Sequence, residues 1–525
     1  MATLKTTTYT NGTGEKHGTP AVLSSNSPAT GRHLGDVPIT PAEQAPAVIE
    51  RARRAQNGWF KAGLTHRLEM LRRVQGNIHR DMDIIISLIV AEQGKPPAEA
   101  LSEFLASIDV VVTFIGLAKK TLAPRYVFEK LLPYRQLWVE RRPFGVVLTI
   151  SPWNFPVLLP LAPITAGLIS GNTIVWKPSE YTPLTSQALA KCFWEAGIPH
   201  DVLQMVQGRG DLGAALVKAH PNKISFTGSV PTGRKIAIAA AEQLIPVQLE
   251  LGAKDAAIIL EDADLDYTVQ GVIWAAMHNA GQACAAVERV YVHRSRMAEF
   301  LKKASDLIAQ TIKVGPGEAP GTTMGAISND MQMRVIESHV EEAVQGGAMV
   351  ICGGKRIEGG AGRYFAPTIL TDVTPDMKVV REETFGPIIV AIPFETDDEA
   401  IRLANDSPYG LSGSIWTRNK ARGLTLASRL EVGHADVNDH ILSATVPKLP
   451  WGFTKDTGYG AARGAEGLLG MTRPMSFSIP RFGNVNIPQL FWYPYTPLKY
   501  GFLRRLIRVL YAPSLRGALR SLFQR

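Results

Sequence analysis

Between residues 146 and 227, short apolar runs of strand length alternate with helical stretches, and this alternation leaves few folds open. The runs 146–150, 173–177, 202–206 and 223–227 read as strands, and 159–170, 186–196 and 212–219 as helices. Strands separated by helices favour a parallel sheet covered on both faces. A second α/β series is expected over 256–445, with a strand at 288–293, a helix at 297–312 and strands near Val350 and Ile388. Upstream, 40–80 and 98–119 read as helical, and the apolar run 84–91 as a buried helix too short to span a bilayer. The alternating, charged stretch 134–142 reads as an exposed or interface strand. No period of about 20–50 residues repeats, which excludes a solenoid.

The 525 residues suffice for two or three domains with large cores. Cys192, Cys284 and Cys352 are too few for a disulfide framework and point to a reducing compartment. No Cys/His group has metal-ligand spacing, so no metal site is expected. Residues 1–20 are Thr/Gly-rich, lack the apolar core of a signal peptide and read as a flexible arm.

Chemistry is expected where strands end, because ligands of an open parallel sheet bind beyond its carboxyl edge. Four turns there carry functional residue types. Ser151-Pro152-Trp153-Asn154-Phe155-Pro156 places an Asn amide where it can donate to a developing oxyanion. Trp176-Lys177-Pro178-Ser179-Glu180 offers a pair able to hold the ribose hydroxyls of adenosine, with a carboxylate that repels a 2′-phosphate. Gly208-Arg209-Gly210-Asp211-Leu212-Gly213 fits GxGxxG, a weak match in a chain with 47 glycines. Phe226-Thr227-Gly228-Ser229, with Gly233 in the next helix, can receive a pyrophosphate on a helix N-terminus. Further on, Glu250 ends an apolar strand and Cys284 follows the small-residue turn Asn279-Ala280-Gly281-Gln282-Ala283. A carboxylate in apolar surroundings can act as a base near neutrality, and a thiol needs such activation to be a nucleophile.

Taken in order, these segments, with Leu249-Glu250-Leu251-Gly252 and Glu382-Glu383-Thr384-Phe385-Gly386-Pro387, resemble the aldehyde dehydrogenase superfamily, over roughly residues 27 to 480. The resemblance implies an α/β fold with a Rossmann-type dinucleotide-binding domain (21–124 and 144–250), an α/β catalytic domain (251–472) and a small β oligomerisation arm (125–143 and 473–485). It implies an NAD(P)-dependent aldehyde dehydrogenase acting as a homodimer or tetramer, and the Glu180 carboxylate favours NAD over NADP. Cys284 would attack the aldehyde, Asn154 would stabilise the oxyanion, and Glu250 would activate the water that hydrolyses the thioester. Lys177 and Glu180 would hold the adenosine ribose and Ser229 the pyrophosphate, with Trp153, Gly210, Gly228 and Gly233 also at the cofactor. Glu383 and Phe385 would position the nicotinamide end. Two departures stand out: Ala253 replaces a second glycine after Glu250-Leu251-Gly252, and Phe453 replaces the last glycine of a Pro-Phe/Trp-Gly-Gly turn. They bear on cofactor seating, rate and specificity.

The net charge of +9 resides in the tail (486–525) and the segment before it: after Glu466 there is no acidic residue and nine basic ones follow. Behind the cluster Phe491-Trp492-Tyr493-Pro494-Tyr495, a helix from Leu498 would align Leu498, Phe502, Leu506, Val509 and Leu510, with Arg504 and Arg508 opposite. Beyond Pro513, Ser514 would cap a second short helix carrying Leu515, Leu519, Leu522 and Phe523. Such a segment (491–525) is expected to lie in a membrane interface, placing a cytoplasmic enzyme peripherally on a membrane. Nucleic acid is not an expected partner, since the charge has no accompanying fold. The expected substrate is then a medium- or long-chain apolar aldehyde. The alternatives are a small polar aldehyde such as a semialdehyde, and a non-catalytic membrane-binding scaffold.

Overall fold

The computed structural model describes residues 21–130, 132–442, 445–482, 492–514 and 516. The chain divides into two compact units, Met1–Ala123 with Arg141–Arg473, and Pro124–Glu140 with Pro474–Arg525.

The first unit contains two large sheets. One has six strands in the order Gly458–Tyr459, Val247–Glu250, Lys223–Thr227, Val146–Ile150, Thr173–Lys177, Leu203–Met205, all parallel except the first. The chain starts at Val146–Ile150, builds outward on one side, then returns and builds on the other. The order therefore reverses between Val146–Ile150 and Lys223–Thr227, and the crevice at that reversal is where such a sheet binds its ligand.

Alternate residues of each strand serve different cores. Val147, Ile174, Trp176 and Leu203 pack with the helices Gly63–Arg80, Pro97–Thr121, Leu158–Ile169 and Pro183–Glu195. Val146, Leu148, Val175, Ile224 and Leu249 pack with Ala45–Lys61, Gly210–Lys218 and Val230–Ala241 on the other face. Both faces are thus dry, which is why these strands read as unbroken apolar runs.

The second sheet has seven strands, Met349–Cys352, Thr368–Thr371, Ile388–Phe394, Val287–His293, Asp255–Ile259, Ser412–Trp416 and His434–Val437, parallel except for the first. The helix expected over 40–80 is interrupted: Ala45–Lys61 and Gly63–Arg80 meet at Ala62, and Gly63 takes a left-handed φ of 85°. The run 84–91 lies in the helix Met82–Gln93. Pro97–Thr121 is long and apolar enough to cross a membrane by composition, yet Phe104, Val110, Val111 and Phe114 are all buried among other helices, as in a core helix.

The second unit is built on a three-stranded sheet of Thr472–Pro480, Arg135–Pro143 and Arg125–Val127, with Trp138 stacked on Phe477 at 4.9 Å. It also contains the helix Pro497–Leu510, whose first turn is capped by the Thr496 hydroxyl accepting from the Lys499 N–H. The expected flexible arm 1–20, Phe491 and the second short helix carried by Leu515, Leu519, Leu522 and Phe523 lie outside the described residues.

Candidate active site

The Cys284 loop is built on backbone that few side chains tolerate. Asn279, Ala280 and Gly281 follow one another at φ 55°, 53° and 72°. A Cβ on Gly281 would sit 2.0 Å from the Gly386 carbonyl oxygen, so only glycine passes there. Side chains hold the loop from beneath: Gln282 donates to the carbonyls of Asn279 (2.9 Å) and Ala326 (3.1 Å). Asn279 Nδ2 donates to the carbonyls of Asn154 (3.1 Å) and Gln282 (3.0 Å).

This places Cys284 Sγ 3.8 Å from Glu250 Oε1, at the end of the strand Val247–Glu250. The same carboxylate oxygen accepts the Trp451 indole N–H at 3.0 Å. Around the pair, Ala253, Ala285, Leu411 and Trp451 form an apolar cluster, with Phe453 and Ala462 against it. Burial raises the Glu250 carboxyl above its usual range, while Arg463, Trp451, Cys284 and Thr227 pull it back. Burial and the neighbouring carboxyls of Glu250, Asp255 and Glu383 push the Cys284 thiol well above its ordinary value. A thiol so placed needs a base to become a nucleophile, and Glu250 is at hand.

Asn154 is brought to the same place from the first strand of the sheet. It is 3% exposed, and its Nδ2 donates to the Gln282 carbonyl at 3.1 Å. Its turn is anchored by a buried ion pair that the sequence did not announce. Lys95 Nζ lies 2.8 Å from Glu103 Oε2 and donates to the Asn154 carbonyl at 2.8 Å. Glu103 Oε1 in turn accepts the Val157 N–H at 2.8 Å. The pair is fully enclosed and every partner is satisfied, so removing either member would strand a buried charge.

The sequence-expected cofactor residues line the carboxyl edge of the six-stranded sheet. Lys177, 4% exposed, has Nζ 3.7 Å from Glu180 Oε2, and burial lowers its pKa. Ser229 is the N-cap residue of Val230–Ala241 and its hydroxyl bonds Thr232 at 3.0 Å. This helix N-terminus lies beside the reversal of strand order, the position suited to a pyrophosphate. Gly210 starts the helix after the edge strand Leu203–Met205, two strands away from that reversal. Gly213 rests 3.5 Å, measured from the Cβ it lacks, against the Lys177 chain. At Gly228 and Gly233 the added Cβ would strike Phe226 (2.6 Å) and Leu251 (2.3 Å), so both admit neighbouring side chains.

Glu383 accepts the Ala253 N–H at 2.9 Å, and burial with nearby Glu288 pushes its carboxyl up to about 8. The close approach falls on Gly252, where a Cβ would lie 2.7 Å from Glu383 Oε2, whereas the Ala253 methyl packs in the apolar cluster. Phe385, at φ 52°, donates its N–H to Glu288 Oε1 at 2.9 Å and meets Trp153 edge-to-face at 5.6 Å. Glu288 is held by Lys254, which also donates to Thr384 at 3.0 Å. Sequence reasoning missed Lys95, Glu103 and Arg463; the one signal for Arg463 was its place as the single basic residue within the Gly/Ala-rich run 458–467.

A doubly wound sheet with a crevice at its reversal of strand order, and a cysteine and a carboxylate meeting nearby, has the form of a dinucleotide-binding enzyme. The family model described as "Aldehyde dehydrogenase family" matches residues 16–477, and the chain belongs to that family. It is 35% identical over 488 residues, 92% of this chain and 90% of the relative, to the 4,4'-diapolycopene aldehyde oxidase of Methylomonas sp. It is 35% identical over 445 residues, 84% and 83% of the two chains, to the mitochondrial succinate-semialdehyde dehydrogenase of Arabidopsis thaliana. Among solved structures, the Mycobacterium tuberculosis aldehyde dehydrogenase complexed with NAD+ superposes with a TM-score of 0.85 at 34% identity, covering 90% of this chain and 98% of that one. The chain therefore has the aldehyde dehydrogenase fold and is an oxidoreductase acting on aldehydes.

Proposed function

We propose that this protein oxidises a medium- or long-chain apolar aldehyde to the carboxylic acid, with NAD as the cofactor. The observation that carries the reading is the 3.8 Å approach of Cys284 Sγ to Glu250 Oε1 within an apolar enclosure. Glu250 takes the thiol proton, and the thiolate adds to the aldehyde carbon to give a thiohemiacetal. The second amide hydrogen of Asn154 and the Cys284 backbone N–H stabilise its oxyanion. Lys177 and Glu180 fit an adenosine ribose, the Ser229 helix terminus fits a pyrophosphate, and Glu383, Phe385 and Trp153 fit the nicotinamide end. The nicotinamide, when bound, supplies the two-electron acceptor. Once Glu250 has given up the first proton to solvent, it draws a proton from the water that attacks the thioester, the C–S bond breaks with the Cys284 thiolate leaving, and the acid is released. A Glu180 carboxylate at the ribose disfavours a 2′-phosphate, which is the reason for preferring NAD.

The substrate class is supported by the second unit and by kinship. No residue of the helix Pro497–Leu510 is buried, and Leu498, Phe502, Trp492, Tyr493 and Tyr495 are exposed beside Arg504 and Arg505. An apolar and aromatic surface next to arginines suits a lipid interface, where long aldehydes partition. The similar oxidase named for 4,4'-diapolycopene aldehyde is in keeping with that class. A semialdehyde substrate is the second reading, favoured by the similarity to the succinate-semialdehyde enzyme. NADH formation across the series acetaldehyde to hexadecanal, with succinate semialdehyde alongside and Cys284→Ala as control, separates them. Activity rising with chain length supports the first reading; activity confined to the semialdehyde supports the second.

A further inference from the structure

Two buried cations of the first unit lack a hydrogen-bonding or ion-pair partner among the described residues, Lys223, which lies over the Phe144 ring with burial alone acting on it, and Arg463, which faces the Cys284–Glu250 pair. Arg463 is 8% exposed, yet its guanidinium makes neither a hydrogen bond nor an ion pair with any described residue. Lys95, Lys254 and Arg289, comparably buried, each have carboxylate or carbonyl partners. An enclosed cation without such partners is costly unless it faces a charge of opposite sign. The Arg463 guanidinium carbon lies 5.6 Å from the centroid of the Trp451 ring, and the N–H of that same indole donates to Glu250 at 3.0 Å. The charges that act on Arg463 are those of Glu250 and Cys284. The backbone there is left-handed, φ 67°, where a residue with a Cβ is strained, so the chain holds an arginine at a place better suited to glycine.

Resting on the proposed roles of Cys284 and Glu250, we infer that Arg463 is a positioning residue for the reaction: stacked on Trp451, it is the counter-charge that keeps Glu250 ionised and steadies the Cys284 thiolate. The groups facing Glu250 are Thr227 from the adjoining strand, Cys284 from its loop, Trp451 and Arg463; only Arg463 brings a positive charge. Cys284 additionally faces Asp255 and Glu383, which oppose the thiolate as they ionise. The arginine thus offsets an otherwise wholly acidic surround. It also opposes proton uptake by Glu250, in accord with its lowering influence there.

The test compares Arg463→Gly, which relieves the left-handed strain, and Arg463→Lys with the wild type. Two quantities are followed against pH: kcat at saturating aldehyde, and the rate of Cys284 alkylation by iodoacetamide. In Arg463→Gly the acid limb of kcat moves up by about one unit or more, giving a loss of about tenfold at pH values below the wild-type limb that closes at alkaline pH. Alkylation shifts in the same direction, KM for an apolar aldehyde holds, and both limbs stay near the wild-type position in Arg463→Lys. Unmoved limbs in Arg463→Gly would overturn the inference, as would a KM rise confined to carboxylate-bearing aldehydes. Should the glycine variant fail to fold, displaced limbs in Arg463→Lys would overturn it and wild-type limbs would support it. Glu250→Gln separates the two levels of the account: if the acid limb survives that change, the base assignment itself fails. If the limb vanishes there but ignores Arg463, only the present inference fails.

Discussion

Replacing Trp451 by Phe isolates one hydrogen bond at the reaction centre. The indole is 4% exposed and packs with Ala253, Ala285 and Leu411, so a phenyl ring keeps most of the buried apolar contact and a face for Arg463. What disappears is the 3.0 Å donation to Glu250 Oε1. A buried hydrogen bond to a charged group contributes about 1.5–3 kcal/mol. Because that bond favours the carboxylate over the acid, its loss raises the Glu250 pKa by about one to two units at about 1.4 kcal/mol per unit. The sign follows directly: a base of higher pKa is protonated over a wider range, so the acid limb of kcat moves to higher pH. At pH values below the wild-type limb the rate falls by about tenfold to a hundredfold, and it recovers toward the wild-type value above the new limb. The assay is steady-state NADH formation at saturating aldehyde and NAD across acid to alkaline pH, with thermal denaturation confirming a folded variant. A uniform loss at every pH, or a limb that does not move, would refute the reasoning.

Gly281→Ala should abolish activity and cost the fold more than about 2 kcal/mol, because the new methyl meets the Gly386 carbonyl oxygen at 2.0 Å on left-handed backbone; urea denaturation and the aldehyde assay check both. Asp255, whose carboxyl burial pushes up to about 8, holds its proton in the folded chain at pH values where the unfolded chain has lost it. Its contribution is full below about pH 4 and drains away as pH rises toward 8, with a slope approaching about 1.4 kcal/mol per unit. Asp255→Asn should flatten that decline in urea midpoints measured between pH 5 and pH 8, and an unchanged slope would contradict it.

How much of this was legible beforehand depends on what each feature requires. The strands Val146–Ile150, Thr173–Lys177 and Lys223–Thr227 fall where apolar runs end in turn residues, because both faces of that sheet are dry. Cys284, Glu250 and Asn154 were visible as a colinear set, and the fold brings Cys284 against Glu250 and ties Asn154 to the Cys284 loop. The break at Ala62 was masked because helical periodicity runs through it; only Gly63 marked it. Lys95, Glu103 and Arg463 were illegible for another reason. A charged residue in a sequence reads as surface, and only tertiary packing shows that these three are enclosed. The weight placed on Ala253 belonged one residue earlier, at Gly252, since close approach is a property of the folded backbone.

The central claim is that one cysteine carries the acyl group and one carboxylate releases it. Rapid mixing of Glu250→Gln with NAD and an apolar aldehyde tests this most directly, read as NADH absorbance against time. The account predicts a burst approaching about one NADH per chain, slower than in the wild type, followed by turnover reduced by about a hundredfold or more. Sustained turnover at the wild-type rate would contradict it.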